Sequence, residues 1–146
     1  MSHVRQQIRE AAATLLTGLT TTGARVYQSR IYTLRDTDLP CLLINTDDEQ
    51  DVTLGPGENS AQERNLQLSI RCVSKQVTDL DDKLDTMLAE VETALGNQTL
   101  SGKAKALQLE SINIEMSDDL EKPVGIATAV FRVTYYTATG TPATAL

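Results

Sequence analysis

The sequence predicts an α+β domain, a mostly antiparallel sheet with two helices packed on one face. Two segments repeat apolar residues at three- and four-residue spacing, which is how a helix acquires one apolar face. Another segment alternates apolar and polar residues with a period of two, as a half-buried strand does. The order helix, strands, acidic stretch, strand, helix, strand, strand joins most of the strands antiparallel and leaves both helices free to cover the same side.

The first helix is expected over Ser2 to Leu16. Val4, Ile8, Ala11, Ala12, Leu15 and Leu19 share its apolar face, with Ser2 as N-cap and Gly18 as stop. The alanines permit close approach of a sheet or a neighbouring subunit. After the turn Thr20–Gly23, Ala24 to Tyr27 reads as a short strand, and the segment holding Arg30 and Tyr32 has no assignable pattern. Leu39-Pro40 leads into Cys41-Leu42-Leu43-Ile44, an unbroken apolar run suited to a strand covered on both faces. Pro40 falls at its start, where a missing donor is tolerated.

Asp47 to Glu63 differs from its flanks. It holds Asp47, Asp48, Glu49, Asp51, Glu58 and Glu63 and no Lys or Arg, around a Gly55-Pro56-Gly57 turn. Val52-Thr53-Leu54 can extend the preceding strand, so the stretch reads as a long hairpin arm or loop with an acidic surface. Arg64 to Val73 is the clearest strand, with Leu66, Leu68, Ile70 and Cys72 on one face. A second helix is expected over Asp79 to Leu95. Its stripe is Leu80, Leu84, Met87, Leu88, Val91 and Leu95, Thr78 is the expected cap, and Gly96-Asn97 the stop. Leu107 to Met116 and Val124 to Thr137 are the last strands. Leu107 and Leu109 stand in one register and Ile112, Ile114 and Met116 in the other, so a bulge or bend is expected near Ser111. The domain is read as residues 1–137, with 138–146 a tail expected to fray.

Composition narrows the function. With 146 residues there is room for one hydrophobic core, and 40% hydrophobic against 23% charged residues is ordinary for a globular chain. The net charge of -7 argues against a basic nucleic-acid groove, though not against a protein that surrounds nucleic acid without gripping it. No run approaches the roughly 20 apolar residues of a membrane span, and Met1 to Arg9 lacks the apolar core of a signal peptide, so neither membrane insertion nor export is expected. Cys41 and Cys72 are expected to be buried, reduced thiols.

No catalytic set emerges. His3 is the only histidine, and the glycines are scattered without a phosphate-cradling spacing. Asp47-Asp48-Glu49 and Asp79, Asp81, Asp82, Asp85 lack the spacing of a calcium loop. The expectation is therefore no enzyme, no cofactor and no metal. What stands out is the acidic arm. Eight acidic residues lie between Arg35 and Arg64 without a compensating base. Candidate contacts with another subunit or a partner are Asp47, Asp48, Glu49, Asp51, Glu58 and Glu63, with Arg25, Arg30, Arg35 and Arg64 as the cationic counterparts, chiefly the first three.

The layout as a whole resembles the tail terminator (tail completion, minor tail) proteins of long-tailed bacteriophages. The resemblance rests on the amphipathic helix Val4 to Leu16, then Ala24-Arg25-Val26-Tyr27 and Ser29-Arg30-Ile31-Tyr32, Leu39 to Ile44, the acidic loop, Arg64 to Val73, the helix with Leu80-Asp81-Asp82, and Ala129 to Tyr135. Each piece is weak alone; their order and spacing over nearly the whole chain carry the likeness. It implies a tail-tube-like fold and a structural virion protein assembled in the bacterial host cytoplasm. A homohexameric ring would cap the head-proximal end of the tail tube, stop its polymerisation, and meet a head-neck connector. DNA would pass through the lumen without sequence-specific binding. The alternatives are another neck or head-completion protein, or a tail-tube-like subunit.

Overall fold

The chain runs α1 (Val4–Leu16), β1 (Val26–Gln28), β2 (Cys41–Leu54), β3 (Ala61–Lys75), α2 (Leu80–Leu95), β4 (Ala106–Ser117) and β5 (Val124–Ala138). The computed structural model describes residues 2–28, 39–55, 60–75, 78–117 and 124–146. Its strands form one sheet in the order β1-β2-β3-β5-β4. β1 lies parallel to β2, and every other neighbouring pair is antiparallel. Both helices sit on one face, α1 over β1 and β2, and α2 over β3 and β5.

The alternation in β3 does what its period requires. Leu66, Leu68, Ile70 and Cys72 enter the helix-side core with Leu42 and Ile44 of β2 and Ala127, Ala129 and Val133 of β5. The unbroken run Cys41–Ile44 is buried throughout, because Cys41 and Leu43 turn the other way and cluster with Val73 on the opposite face. Cys41 opposes Val73 and Cys72 opposes Leu42 across the same pair of strands. The two thiols therefore lie on adjacent strands but on opposite faces of the sheet, where no disulfide can form without moving the backbone. Both are free.

The acidic stretch continues the sheet. β2 runs to Leu54 and returns as β3 from Ala61, with a register shift between Thr46 and Glu49. β5 stays paired with β3 as far as Ala138, opposite Ala61. The hairpin is thus flanked by a third strand along its length rather than projecting alone.

Several boundaries differ from expectation. The cap of α1 is His3, not Ser2: its Nδ1 accepts the Arg5 backbone N–H at 3.1 Å. The cap of α2 is Asp79, not Thr78, and it sits in the left-handed region (φ 57°, ψ 32°) with no side-chain cap. The chain turns into the helix through backbone geometry there. At the end of α2, Asn97 takes the positive φ of 58° while Gly96 keeps φ -59°. β1 begins at Val26, two residues later than expected, because Ala24 and Arg25 are still in the turn. Residues 138–146, expected to fray, fold back onto α1 and β5. Val4 N–H donates to Pro142 O, and Leu146 N–H to Tyr136 O, both at 2.8 Å.

α2 approaches β5 closely at Gly125. A Cβ there would lie 2.7 Å from Leu84 Cδ1 and 3.1 Å from Leu80. Leu84 is fully buried at this contact. Replacing it with Ala should cost about 2–5 kcal/mol in chemical unfolding; a loss below about 0.5 kcal/mol would show that the α2–β5 contact is not core. Burial pushes the Cys72 thiol up to about 12, reinforced by Cys41 and Glu90. Thiol titration after unfolding without reductant should count two free thiols, and a count of zero in protein shielded from air would contradict the opposite-face placement.

Candidate functional site

Two helices cover four of the five strands. β4 is the strand left over, and its sequence makes that consequential. Leu107 and Leu109 oppose Val133 and Phe131, which lie on the helix-side face. A register shift at Glu110 then brings Ile112, Ile114 and Met116 opposite Ala129, Ala127 and Gly125, on that same face. Without the shift the two apolar sets would point to opposite sides. With it they form one stripe, and the stripe is exposed: Leu109 39%, Ile112 41%, Ile114 49% and Met116 49%.

The outer side of β4 pairs with no described strand. At the other margin β1 pairs only with Leu42–Ile44, so Asn45–Leu54 of β2 also presents an edge unpaired among the described residues. β4 carries no Lys, Arg or Pro, the usual guards of a free edge.

The expected acidic contacts divide between the two sheet faces. Glu49 enters the helix side, where its carboxylate accepts from Arg64 at 3.2 Å and from the Tyr135 hydroxyl. Arg64 also donates from Nε to Thr137 Oγ1 at 2.9 Å and lies over the Tyr135 ring, 5.9 Å from its centroid. Asp51, opposite Arg64, completes this group. On the other face the Asp47 carboxylate accepts from the Ser69 hydroxyl, while its backbone carbonyl accepts from Arg5 at 2.7 Å. Asp48 and Glu63 line a polar concavity of about 510 Å³ with Gln50, Asn65, Glu110 and Arg132.

Arg25 is not near these carboxylates. It clamps its own turn, donating to Pro40 O at 2.7 Å and Thr21 O at 3.1 Å. Arg30, Arg35 and Glu58 lie outside the described residues. Among the described residues the cationic partners of the acidic stretch are Arg64, one of the expected counterparts and here paired within its own chain, and Arg5, which was not among them and is legible only from the fold.

His3 joins the group from the start of α1. Its Nδ1 accepts from Arg5 N–H, which requires the neutral ring with the proton on Nε2. Nε2 then faces Arg64 Nη1 at 3.4 Å, donor towards donor. Burial lowers the His3 pKa, the Arg64 charge lowers it further, and Glu49 opposes them. Asp51 is raised by burial first, then by its hydrogen bond with Glu49 and that residue's charge. Tyr135 is raised well above the ordinary phenol, again chiefly by burial and then by Glu49.

Among the described residues no group of three or more His, Cys, Asp or Glu side chains could hold a metal, and no helix is long and apolar enough to cross a membrane. No protein-family model matches the chain, and no curated protein matches it. Among solved structures, a chain of "Virion of native gene transfer agent (GTA) particle" is similar over 90% of this chain and 90% of its own, at 16% identity and a TM-score of 0.47. A likeness this distant assigns no role. On its own geometry the chain is an α+β domain with a sheet wider than its helix layer.

The polar group gives two pH effects of opposite sign. A lowered His3 pKa means that the unfolded chain takes up its proton first, so this contribution to stability is present above about pH 6.5 and is lost as pH falls below it. His3→Gln should flatten the stability profile in that window. The raised Asp51 pKa means that the folded state holds its proton more tightly, so its contribution is present below the ordinary value of 3.8 and lost as pH rises through the folded value. Asp51→Asn should therefore stabilise at pH 7 and have no effect well below pH 3.8. Unfolding curves across pH check both, and identical profiles for wild type and His3→Gln would contradict the neutral-cap assignment.

Proposed function

We propose that this chain is a structural virion subunit that works as a ring, capping the head-proximal end of a phage-type tail tube, stopping its growth and offering a surface for head joining, with DNA crossing the lumen. The observation that carries the reading is the exposed apolar stripe Leu109, Ile112, Ile114 and Met116 on an edge strand without Lys, Arg or Pro. A lone soluble domain seldom leaves such an edge open, because it templates pairing with any other chain. A subunit built to be surrounded by copies of itself needs one. The resemblance of the sequence layout to tail terminators supports the more specific reading.

Net charge fits the same role. A chain at -7 lining a passage repels phosphates and does not hold DNA back. The distal hairpin, with Asp48 and Glu63 on its polar face, is the part proposed to meet the tube or the adjacent subunit. Glu49 is already neutralised by Arg64 within the chain, so the contacts left for a partner are the more exposed carboxylates. In this account the protein acts by closing an assembly, and its side chains perform no reaction.

Electron microscopy of the purified protein, alone and with tail tubes, tests the proposal. Single rings and tubes capped at one end are the expected images; long stacks of the protein alone would reassign it as a tube subunit. Ile114→Glu should leave the unfolding free energy within about 0.5 kcal/mol, because the side chain is half exposed, yet abolish the rings. Rings that persist in this variant would remove the stripe from the interface. Shortening Asp51–Ser60 to a tight turn should give a folded subunit that caps tubes poorly, whereas wild-type completion of infectious tails would leave the hairpin end without a role.

A further inference from the structure

The charge on α2 is one-sided. Asp81, Asp82, Asp85, Glu90 and Glu92 stand against a single base, Lys83. The aspartates of the first turn suit the positive pole of the helix. Glu90 and Glu92 do not: they fall towards the pole that favours cations, and the last turn holds no base. Among the described residues no ion pair reaches α2.

Glu90 also lines a cleft. The turn after α1 faces the second half of α2 across a space of about 430 Å³, with Leu19, Ala89 and Ala94 as its apolar wall. Glu90 is the one ionisable residue among the described residues that line it. The turn fixes its carboxylate: Thr21 N–H donates to Oε1 at 2.9 Å, and the Thr21 hydroxyl donates to Oε2. Both donors are neutral, and each oxygen keeps a second lone pair. The negative charge is thus held in place without being neutralised.

We propose that this cleft binds an arginine side chain from a basic segment of a partner protein, its stem along Leu19 and Ala89 and its guanidinium on the Glu90 carboxylate. An arginine answers each feature at once. Its aliphatic stem suits the apolar wall. Its planar fork matches the two lone pairs that Thr21 leaves, which the point charge of a lysine does not. Its charge offsets Glu92 and the negative pole of α2. A second copy of the chain is the poorer occupant, because it brings a net charge of -7 to an acidic helix. The described Arg5, Arg9, Arg25, Arg64 and Arg132 moreover already donate within their own chain. The cleft lies on the α1 side of α2 and the β4 stripe on the other side, so the inference stands whether or not that stripe is covered.

The probe is a short peptide with one arginine among leucines and alanines, titrated into the full chain while backbone amide NMR shifts are followed. Saturable shifts are expected at Gly18–Thr21 and Thr86–Ala94. Citrulline in place of the arginine keeps the shape without the charge, and should bind about tenfold more weakly or worse. Glu90→Gln still offers an oxygen to Thr21 N–H, so the turn is kept, yet it should weaken the arginine peptide by a similar factor. Ala89→Leu fills the cleft from an exposed position and leaves every charge in place; it too should weaken binding. D81N/D82N alters the far end of the helix, more than a Debye length away, and should change affinity by less than about twofold. If D81N/D82N weakens binding as much as Glu90→Gln while Ala89→Leu does nothing, the attraction is a diffuse one to an acidic helix and the site is wrong. Equal binding of the citrulline peptide, or shifts confined to amides elsewhere, would also overturn it. Shifts at these same amides when the protein alone is concentrated would put a second copy in the cleft and overturn the choice of partner.

Discussion

The width of the helix layer is the constraint on which the rest of the structure depends. A helix is about 10 Å across and strands are about 4.8 Å apart, so one helix shields roughly two strands. The described residues form two helices and five strands. β4 is the strand without a helix, yet its residues are those of a covered strand, with Ile112, Ile114 and Met116 turned to the side where a helix would lie. The bulge at Glu110 spends ladder regularity to keep them there. At about 25 cal/mol per Å² of apolar surface, covering such a stripe is worth several kcal/mol to an assembly, and none of it is available to the isolated subunit.

The distal part of the sheet obeys a different rule. Apolar packing gives way there to a group of charges and hydroxyls: Glu49, Arg64, Tyr135 and His3. A buried carboxylate costs several kcal/mol unless its lone pairs are occupied, and Glu49 has both a guanidinium and a phenol. Arg64 in turn ties β3 to β5 through Thr137. The group joins β2, β3 and β5 to the start of α1, and the C-terminal residues close over the same place through Pro142. The extension of the sheet is thus held by polar satisfaction at its root, with Asp47 fastened to Ser69 and Asp48 exposed on the outer face.

Much of the fold could be read from residues alone. The α1 and α2 stripes, the alternation in β3 and the doubly covered run Cys41–Ile44 are periodic signals, and each element lies where its period puts it. The shift near Ser111 was legible because Leu109 and Ile112 stand three apart where a regular strand needs two or four. Caps were less legible, since His3 and Asp79 act through local backbone geometry that no spacing encodes. The charge density of Asp47–Glu63 pointed to contacts outside the subunit and concealed those inside it. Pairing Glu49 with Arg64 requires knowing that β2 and β3 stay in register through the acidic stretch, and placing Tyr135 over them requires β5 as the third strand. The stripe on β4 was visible as a strand register, but its exposure was not, because only the fold shows which strand the helices fail to reach.

The central claim is that the open edge of β4 is occupied when the protein works. Backbone amide exchange reads this without any substitution, because about every second amide of an edge strand points away from its single partner. Exchange should be followed in β4 and β5 as protein concentration is raised through assembly. The account predicts that the outward amides of Ala106–Ser117 slow markedly while those of Val124–Ala138, already paired on both sides, hold steady. Outward β4 amides that exchange equally fast in the dilute and the fully assembled protein would contradict it.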